Sequence, residues 1–249
     1  MSLVLYEREK RIAYITLNRP EKRNAINAEL TKELAKTWIE FRDDENVWVA
    51  VLSGRGGGFC SGADVGAIGS VIDSKARPDS LYALSTALNC APTRFEIWKP
   101  IIAAIHGYAV GAGLWLALCC DIRIAAENTK FFLPEPKYEV PTLFAGFLSR
   151  YIPRGIALEL LLRANKIDEK RAYEIGLINH VVAGDSLIST ATQIAEEICE
   201  NGPTAIRAMK ELVLTIEAGS SANIMALTEH VLKPISERIR REKANSDKK

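Results

Sequence analysis

Short apolar runs of strand length alternate along the chain with stretches of helical period, the arrangement of a mixed α/β fold. Residues 3–9 and 11–17 read as two strands about a charged turn, the second setting Ile12, Tyr14 and Thr16 against Ala13, Ile15 and Leu17, and together they predict a hairpin. After a polar loop over 18–25, Asn27 is placed to cap a helix whose apolar face is Leu30, Leu34, Trp38 and Phe41. Residues 47–52 and 101–105 are almost continuously apolar, as strands covered on both faces are. A polar, proline-bearing stretch at 73–80 precedes an amphipathic helix expected over 81–95, the pattern of a variable rim above a site. Two short strands are expected at 121–126 and 130–133, and helices around 144–152 and 156–164. A segment at 169–175, ended by Gly176, leads into a strand over 177–182. Beyond Asp185 the pattern is entirely helical, with Pro203 at a helix start, and composition shifts near residue 190. The end, 233–249, is strongly charged and expected to fray.

Two glycine-rich turns follow buried strands. In the first, Ser53 to Asp64, the order G-F-C-S-G places serine fourth, which is not the hydrolase elbow. No histidine stands nearby in sequence to activate Cys60 or Ser61, so both read as packing or turn residues. In the second, Gly107 ends the strand, and Gly111 and Gly113 bracket the start of an apolar helix over 114–120. Such a turn lets a ligand approach the backbone, and the first amides of the helix have no intrahelical acceptor, which suits developing negative charge. A tight packing turn would carry the same glycines. The stretch lacks the last glycine of G-x-G-x-x-G, and the chain has no G-K-[ST] phosphate loop. Three further residues stand open at this level. Lys22 and Arg23 fit either a solvated surface or a phosphate contact, and Glu135, where strand gives way to loop, fits either a turn residue or a base. His106, at the end of an apolar strand, reads as a satisfied core residue.

Composition narrows the partners. With 249 residues, 48% hydrophobic and 25% charged, the chain can bury a sizeable core, and a net charge of +1 lacks the footprint of a nucleic-acid binder. No window approaches a membrane span and the N-terminus lacks an apolar signal core, so a cytoplasmic protein is expected. Five cysteines without C-x-x-C spacing argue for reduced thiols and against a zinc site.

Three motifs in order, LNRPEKRNAIN (Leu17 to Asn27), SGRGGGFCSGAD (Ser53 to Asp64) and KPIIAAIHGYAVGAGLWLALCCDIRIA (Lys99 to Ala125), followed by FFLPE (Phe131 to Glu135) and RAYEIGLINHVV (Arg171 to Val182), resemble the enoyl-CoA hydratase/isomerase family, the crotonase superfamily. The resemblance implies an α/β fold, a crotonase-like spiral of repeated ββα units over 1–190 carrying a CoA-thioester site. It also implies a C-terminal all-helical oligomerisation region over 191–249 that assembles a homotrimer or homohexamer. The substrate would be an acyl-CoA thioester, with CoA part of the substrate and no separate cofactor or metal. By the same resemblance, Ala63 and Ala112 supply the two amides of an oxyanion hole, one from each turn, and Glu135 is the acid/base. Lys22, Arg23, Ala25, Asp64, Val65, Gly111 and Trp115 contact substrate.

The chain departs from the family in three places. Trp115 stands where family hydratases hold their other glutamate, and an indole N–H donates but accepts nothing from water. Moving one proton between two carbons needs only one base, so double-bond isomerisation is expected first, 2-enoyl-CoA hydration second, and a non-catalytic thioester-binding or assembly subunit is the alternative of another class. Residues 141–146, P-T-L-F-A-G, replace the usual glycine-rich P-G-x-G-G turn, and the usual E-G-x-x-A-F-x-E-K-R ending is missing, so its adenine contacts are not carried over.

Overall fold

A computed structural model describes residues 2–64, 89–138, 142 and 144–218. Val65, the stretch 73–80, most of the helix expected over 81–95, Glu139 and the charged end 233–249 lie outside the described residues.

Strands β1 (Val4–Glu9) and β2 (Ile12–Leu17) form the expected antiparallel hairpin, with Lys10 at φ 52° in the turn. Helix α1 (Ala28–Asp43) starts where the Asn27 side chain accepts from the Leu30 amide, and Leu30, Leu34, Trp38 and Phe41 are wholly buried beneath it. Then come β3 (Val49–Gly54), β4 (Ile101–Ile105), β5 (Tyr108–Val110), α2 (Ala112–Leu118), β6 (Ile122–Ala126) and β7 (Lys130–Phe132). The chain continues through α3 (Ala145–Tyr151), α4 (Arg154–Arg163), β8 (Ile167–Asp168), α5 (Glu169–Glu174), β9 (His180–Val182), α6 (Leu187–Cys199) and α7 (Pro203–Ala218).

The large sheet has six strands in the order β1-β2-β3-β4-β6-β9, parallel except for the hairpin, and a small sheet has the order β5-β7-β8. A strand in the large sheet, a strand in the small one and then a helix recur as β4-β5-α2 and β6-β7-α3, the winding ββα repeat. Alternation along the parallel strands feeds two buried layers. Ala50, Leu52, Ile101, Ala103 and Ile105 face α1 and α2, while Val49, Val51, Ile102 and Ala104 face Leu187, Ala191 and Ala195 of α6. Burying a side chain such as Ile102 stabilises by about 2 kcal/mol, and with both faces covered an unbroken apolar run is the result. Helix α6 crosses residue 190 and closes this second layer.

Four local expectations change. The turn after β4 contains β5, whose three residues are too few to show a period. Likewise, two-residue β8 leaves no trace in the pattern. The strand expected over 177–182 is shortened to His180–Val182, because Gly176 at φ 77° turns the chain and the Leu177 amide closes back on Ala172. The described end of the 81–95 helix is a 3₁₀ turn, Pro92–Arg94, since proline opens a turn there and cannot continue a helix.

Candidate active site

The two glycine turns leave the C-terminal ends of β3 and β4 and run side by side. Phe59 N–H donates to His106 O (2.9 Å), Cys60 N–H to Tyr108 O (3.2 Å) and Val110 N–H to Cys60 O (3.1 Å), which lays the first turn along β5. The contact has no room for side chains. A Cβ on Gly62, at φ 90°, would stand 2.7 Å from Val110 O and 3.5 Å from Ala112 N, and one on Gly113 would stand 2.6 Å from Cys60 O. Gly62 and Gly113 thus serve turn-to-turn packing, and the packing brings Ala63 beside Ala112. Neither the Ala63 nor the Ala112 N–H has a hydrogen-bond acceptor among the described residues.

Gly111 has a different neighbour. It sits at φ 51° and ψ −121° before α2, and a Cβ there would lie 2.6 Å from Glu135 Oε1. The carboxylate therefore rests against a bare Cα. Glu135 opens the 3₁₀ turn Glu135–Tyr138 just past β7, and its Oε2 is buried with no hydrogen-bond partner among the described residues. Burial pushes its pKa above the ordinary carboxylate value, because the charged form loses water and its own backbone N–H offsets that loss only in part. Thr142 Oγ1 is a second buried oxygen with no such partner.

Trp115 lies one turn along α2, its amide bonded to Gly111 O (3.0 Å). The indole stacks on Phe144 with ring centroids 5.1 Å apart and planes 19° apart, and meets Phe147 at 5.7 Å. Asp64, the carboxylate that ends the first turn, is held by Arg19 at 2.6 Å.

The polar loop is sewn to the first turn. Lys22 and Arg23 are exposed, Arg23 at φ 54°, while Ala25 is buried and its carbonyl accepts from Arg19 Nη1 (3.0 Å). Ser61 N–H donates to Arg23 O, Ile26 N–H to Gly62 O and Asp64 N–H to Ile26 O, at 2.8 to 3.0 Å. The residue that sequence reasoning missed is Asn24. Fully buried and at φ 54°, it accepts from Arg19 N–H (2.9 Å) and donates to Arg55 O (3.0 Å) and Gly58 O (2.9 Å). Its signal was an asparagine at a loop position needing left-handed backbone, which asparagine tolerates best after glycine. The Cys60 thiol donates to Asn24 O (3.0 Å), and burial pushes its pKa up to about 12, so it is a packing group as expected. His106 is satisfied, its Nε2 2.8 Å from Gly56 O, but it is half-buried at the mouth of the turns instead of in the core.

Among the described residues no group of three or more His, Cys, Asp or Glu could hold a metal ion, and no helix is long and apolar enough to cross a membrane.

A large sheet and a small sheet joined by ββα turns, with the two glycine turns at one end, make this a crotonase fold. The chain belongs to the enoyl-CoA hydratase/isomerase family of enzymes, whose model matches residues 7–242. It is 38% identical over 214 residues to (E)-benzylidenesuccinyl-CoA hydratase of Thauera aromatica, covering 84% of this chain and 80% of that protein. Against the short-chain-enoyl-CoA hydratase of Clostridium acetobutylicum it is 35% identical over 214 residues, with the same 84% and 80% coverage. Among solved structures, an enoyl-CoA hydratase from Bacillus anthracis superposes with a TM-score of 0.86 at 28% identity, covering 99% of this chain and 97% of that one. One from Mycobacterium tuberculosis superposes at 0.81 with 33% identity, covering 94% and 90%.

Proposed function

We propose that this enzyme acts on an acyl-CoA thioester by moving a proton at the carbon beside the carbonyl, with Glu135 as its single acid/base. The observation that carries the reading is a half-buried carboxylate with one orphan oxygen against Gly111, together with an aromatic stack where a second carboxylate would stand. Glu135 takes the C2 proton of a 3-enoyl-CoA, and the electron pair moves into the thioester carbonyl. The Ala63 and Ala112 amides donate to the enolate oxygen, each such donor being worth about 10²- to 10³-fold in rate. Returning the same proton at C4 leaves the double bond between C2 and C3, with no water consumed. A carboxyl with a raised pKa serves both halves, because it holds the proton between them.

In this reading Lys22 and Arg23 meet the CoA phosphates, Ala25 and Gly111 line the path of the thioester, and Asp64 steadies that path through Arg19. CoA enters as part of the substrate, no separate cofactor is used, and the working form is a cytoplasmic homotrimer or homohexamer assembled through the helical region beyond residue 190.

A second reading is hydration of a 2-enoyl-CoA. It is favoured by relatives named (E)-benzylidenesuccinyl-CoA hydratase and short-chain-enoyl-CoA hydratase, and it would ask Glu135 alone to hold the water. Incubation with matched 2-enoyl- and 3-enoyl-CoA thioesters, with products identified by mass, separates the two. Migration of the 3-enoyl double bond faster than hydration of the 2-enoyl ester is expected, and rapid hydration without migration would replace the first reading by the second.

A further inference from the structure

We infer that Trp115, Phe144 and Phe147 form an aromatic wall that selects acyl groups carrying an aromatic ring; the inference rests on the acyl-CoA reading above. Trp115 is three residues beyond Ala112 on α2, and positions three apart share a helix face. An acyl chain whose thioester oxygen sits at the Ala112 amide therefore passes the indole. The stack runs outward from the core. Phe144 is buried at 3% exposure, Trp115 is half-buried, and Phe147 is 45% exposed. Ring separations of 5.1 and 5.7 Å with interplanar angles of 19° and 37° are those of offset-stacked and tilted aromatic pairs. The Arg150 guanidinium, 5.1 Å from the Phe147 centroid, steadies the outer ring.

Chemistry alone does not call for this wall. A linear aliphatic chain is served by leucine and isoleucine, which the chain uses freely elsewhere in its core. Three contacting rings, the middle one three residues from the Ala112 amide, give planar surface at low conformational cost, since each ring has only two side-chain torsions to fix. A further ring continuing the stack gains what aromatic pairs gain beyond buried area. The same wall explains why the glycine-rich P-G-x-G-G turn is absent here: Phe144 and Phe147 occupy and flank that segment.

The test compares 3-phenylpropanoyl-CoA with 3-cyclohexylpropanoyl-CoA, esters of the same acyl skeleton that differ in aromaticity and cannot be hydrated. Calorimetry gives each Kd, and mass spectrometry in D₂O gives each rate of hydrogen exchange beside the carbonyl. The wild-type enzyme should bind the phenyl ester roughly three- to tenfold more tightly. Trp115→Ala and Phe147→Ala should each bring that ratio toward one, and Trp115→Phe should keep most of it. Phe147, being exposed, keeps the test available if Trp115→Ala does not fold. Equal affinities in the wild type, or a ratio untouched by Phe147→Ala, would overturn the aromatic wall. Phenyl preference without exchange from either ester would leave the wall standing and remove the proton-transfer reading. Failure of both esters to bind would remove both.

Discussion

The two glycine turns are similar in composition and neighbours in space, yet their polar groups are treated in opposite ways. Around the first turn, Asn24 ties three backbone groups, Arg19 pairs with Asp64 at 2.6 Å, and the Cys60 thiol is bonded on both sides. Around the second, Glu135 Oε2 is buried without a partner among the described residues and Gly111 adopts a backbone that only glycine takes at ease. A satisfied buried network fixes geometry, whereas an orphan buried carboxylate destabilises the free protein and is kept for what it does to a ligand. One turn is scaffold and the other is chemistry, and each half of that contrast can be broken separately.

The largest effect is expected at Glu135. Glu135→Gln keeps the volume and loses the proton, so hydrogen exchange beside the thioester carbonyl should fall by about 10³-fold while acyl-CoA affinity stays within a few-fold. In the wild type the base form is the unprotonated one, and burial raises the pKa. The exchange rate should then rise with pH through a midpoint above the ordinary carboxylate value and fall as pH drops through it. An unaltered rate in Glu135→Gln would assign the chemistry to another group.

Gly111→Ala comes next, because its Cβ would stand 2.6 Å from Glu135 Oε1 and must displace the carboxylate. A misplacement near 1 Å costs on the order of 10²-fold. kcat should fall by about that factor with little change in the Kd of acyl-CoA, read by steady-state kinetics and calorimetry. The same change at Gly57, where a Cβ meets nothing within 4 Å, is the control.

The contrast also marks what the sequence revealed. Strands β3 and β4 were plain because burial on both faces leaves an unbroken apolar run, and α1 was plain because Asn27 caps a regular apolar face. Glu135 and the two alanines came with the family resemblance, since a base and two backbone amides leave no periodic signal of their own. Asn24 offered only the weak signal of an asparagine in a loop: its partners Arg55 and Gly58 lie 31 and 34 residues away, so its burial and its bonds leave no local pattern. The Trp115 stack was hidden for the same reason, as Phe144 meets it only through the packing of α3 against α2. Short strands β5 and β8 carry too few residues to repeat a pattern.

On the scaffold side, Asn24→Ala removes one acceptor and two donors from a fully buried position and leaves the Arg55 and Gly58 carbonyls without their partner. Stability should drop by about 2 kcal/mol, seen as a lower midpoint in urea with an unchanged slope. Activity at saturating substrate should be affected less than in Gly111→Ala, since the lost bonds hold the loop and not the carboxylate. A variant as stable as the wild type would show that the loop is held by the Arg19–Asp64 pair and the backbone bonds to the first turn.

The smallest effect is expected where the same loop turns outward. Lys22 and Arg23 are exposed and share no ion pair among the described residues, so Lys22→Ala with Arg23→Ala should leave stability nearly untouched, in contrast to the neighbouring Asn24. If these charges meet the phosphates of CoA, the double change should weaken acyl-CoA binding by up to about tenfold at low ionic strength, the range of exposed charge contacts. Ions at about 0.1 M screen beyond roughly 10 Å, so the penalty should shrink as salt is added, whereas the loss in Glu135→Gln should not. Calorimetric titration of acyl-CoA at two salt concentrations reads both quantities at once. Equal Kd values for the double variant and the wild type at low salt would detach the nucleotide from this loop, and would leave the loop's buried side, through Asn24, as its whole contribution to the site.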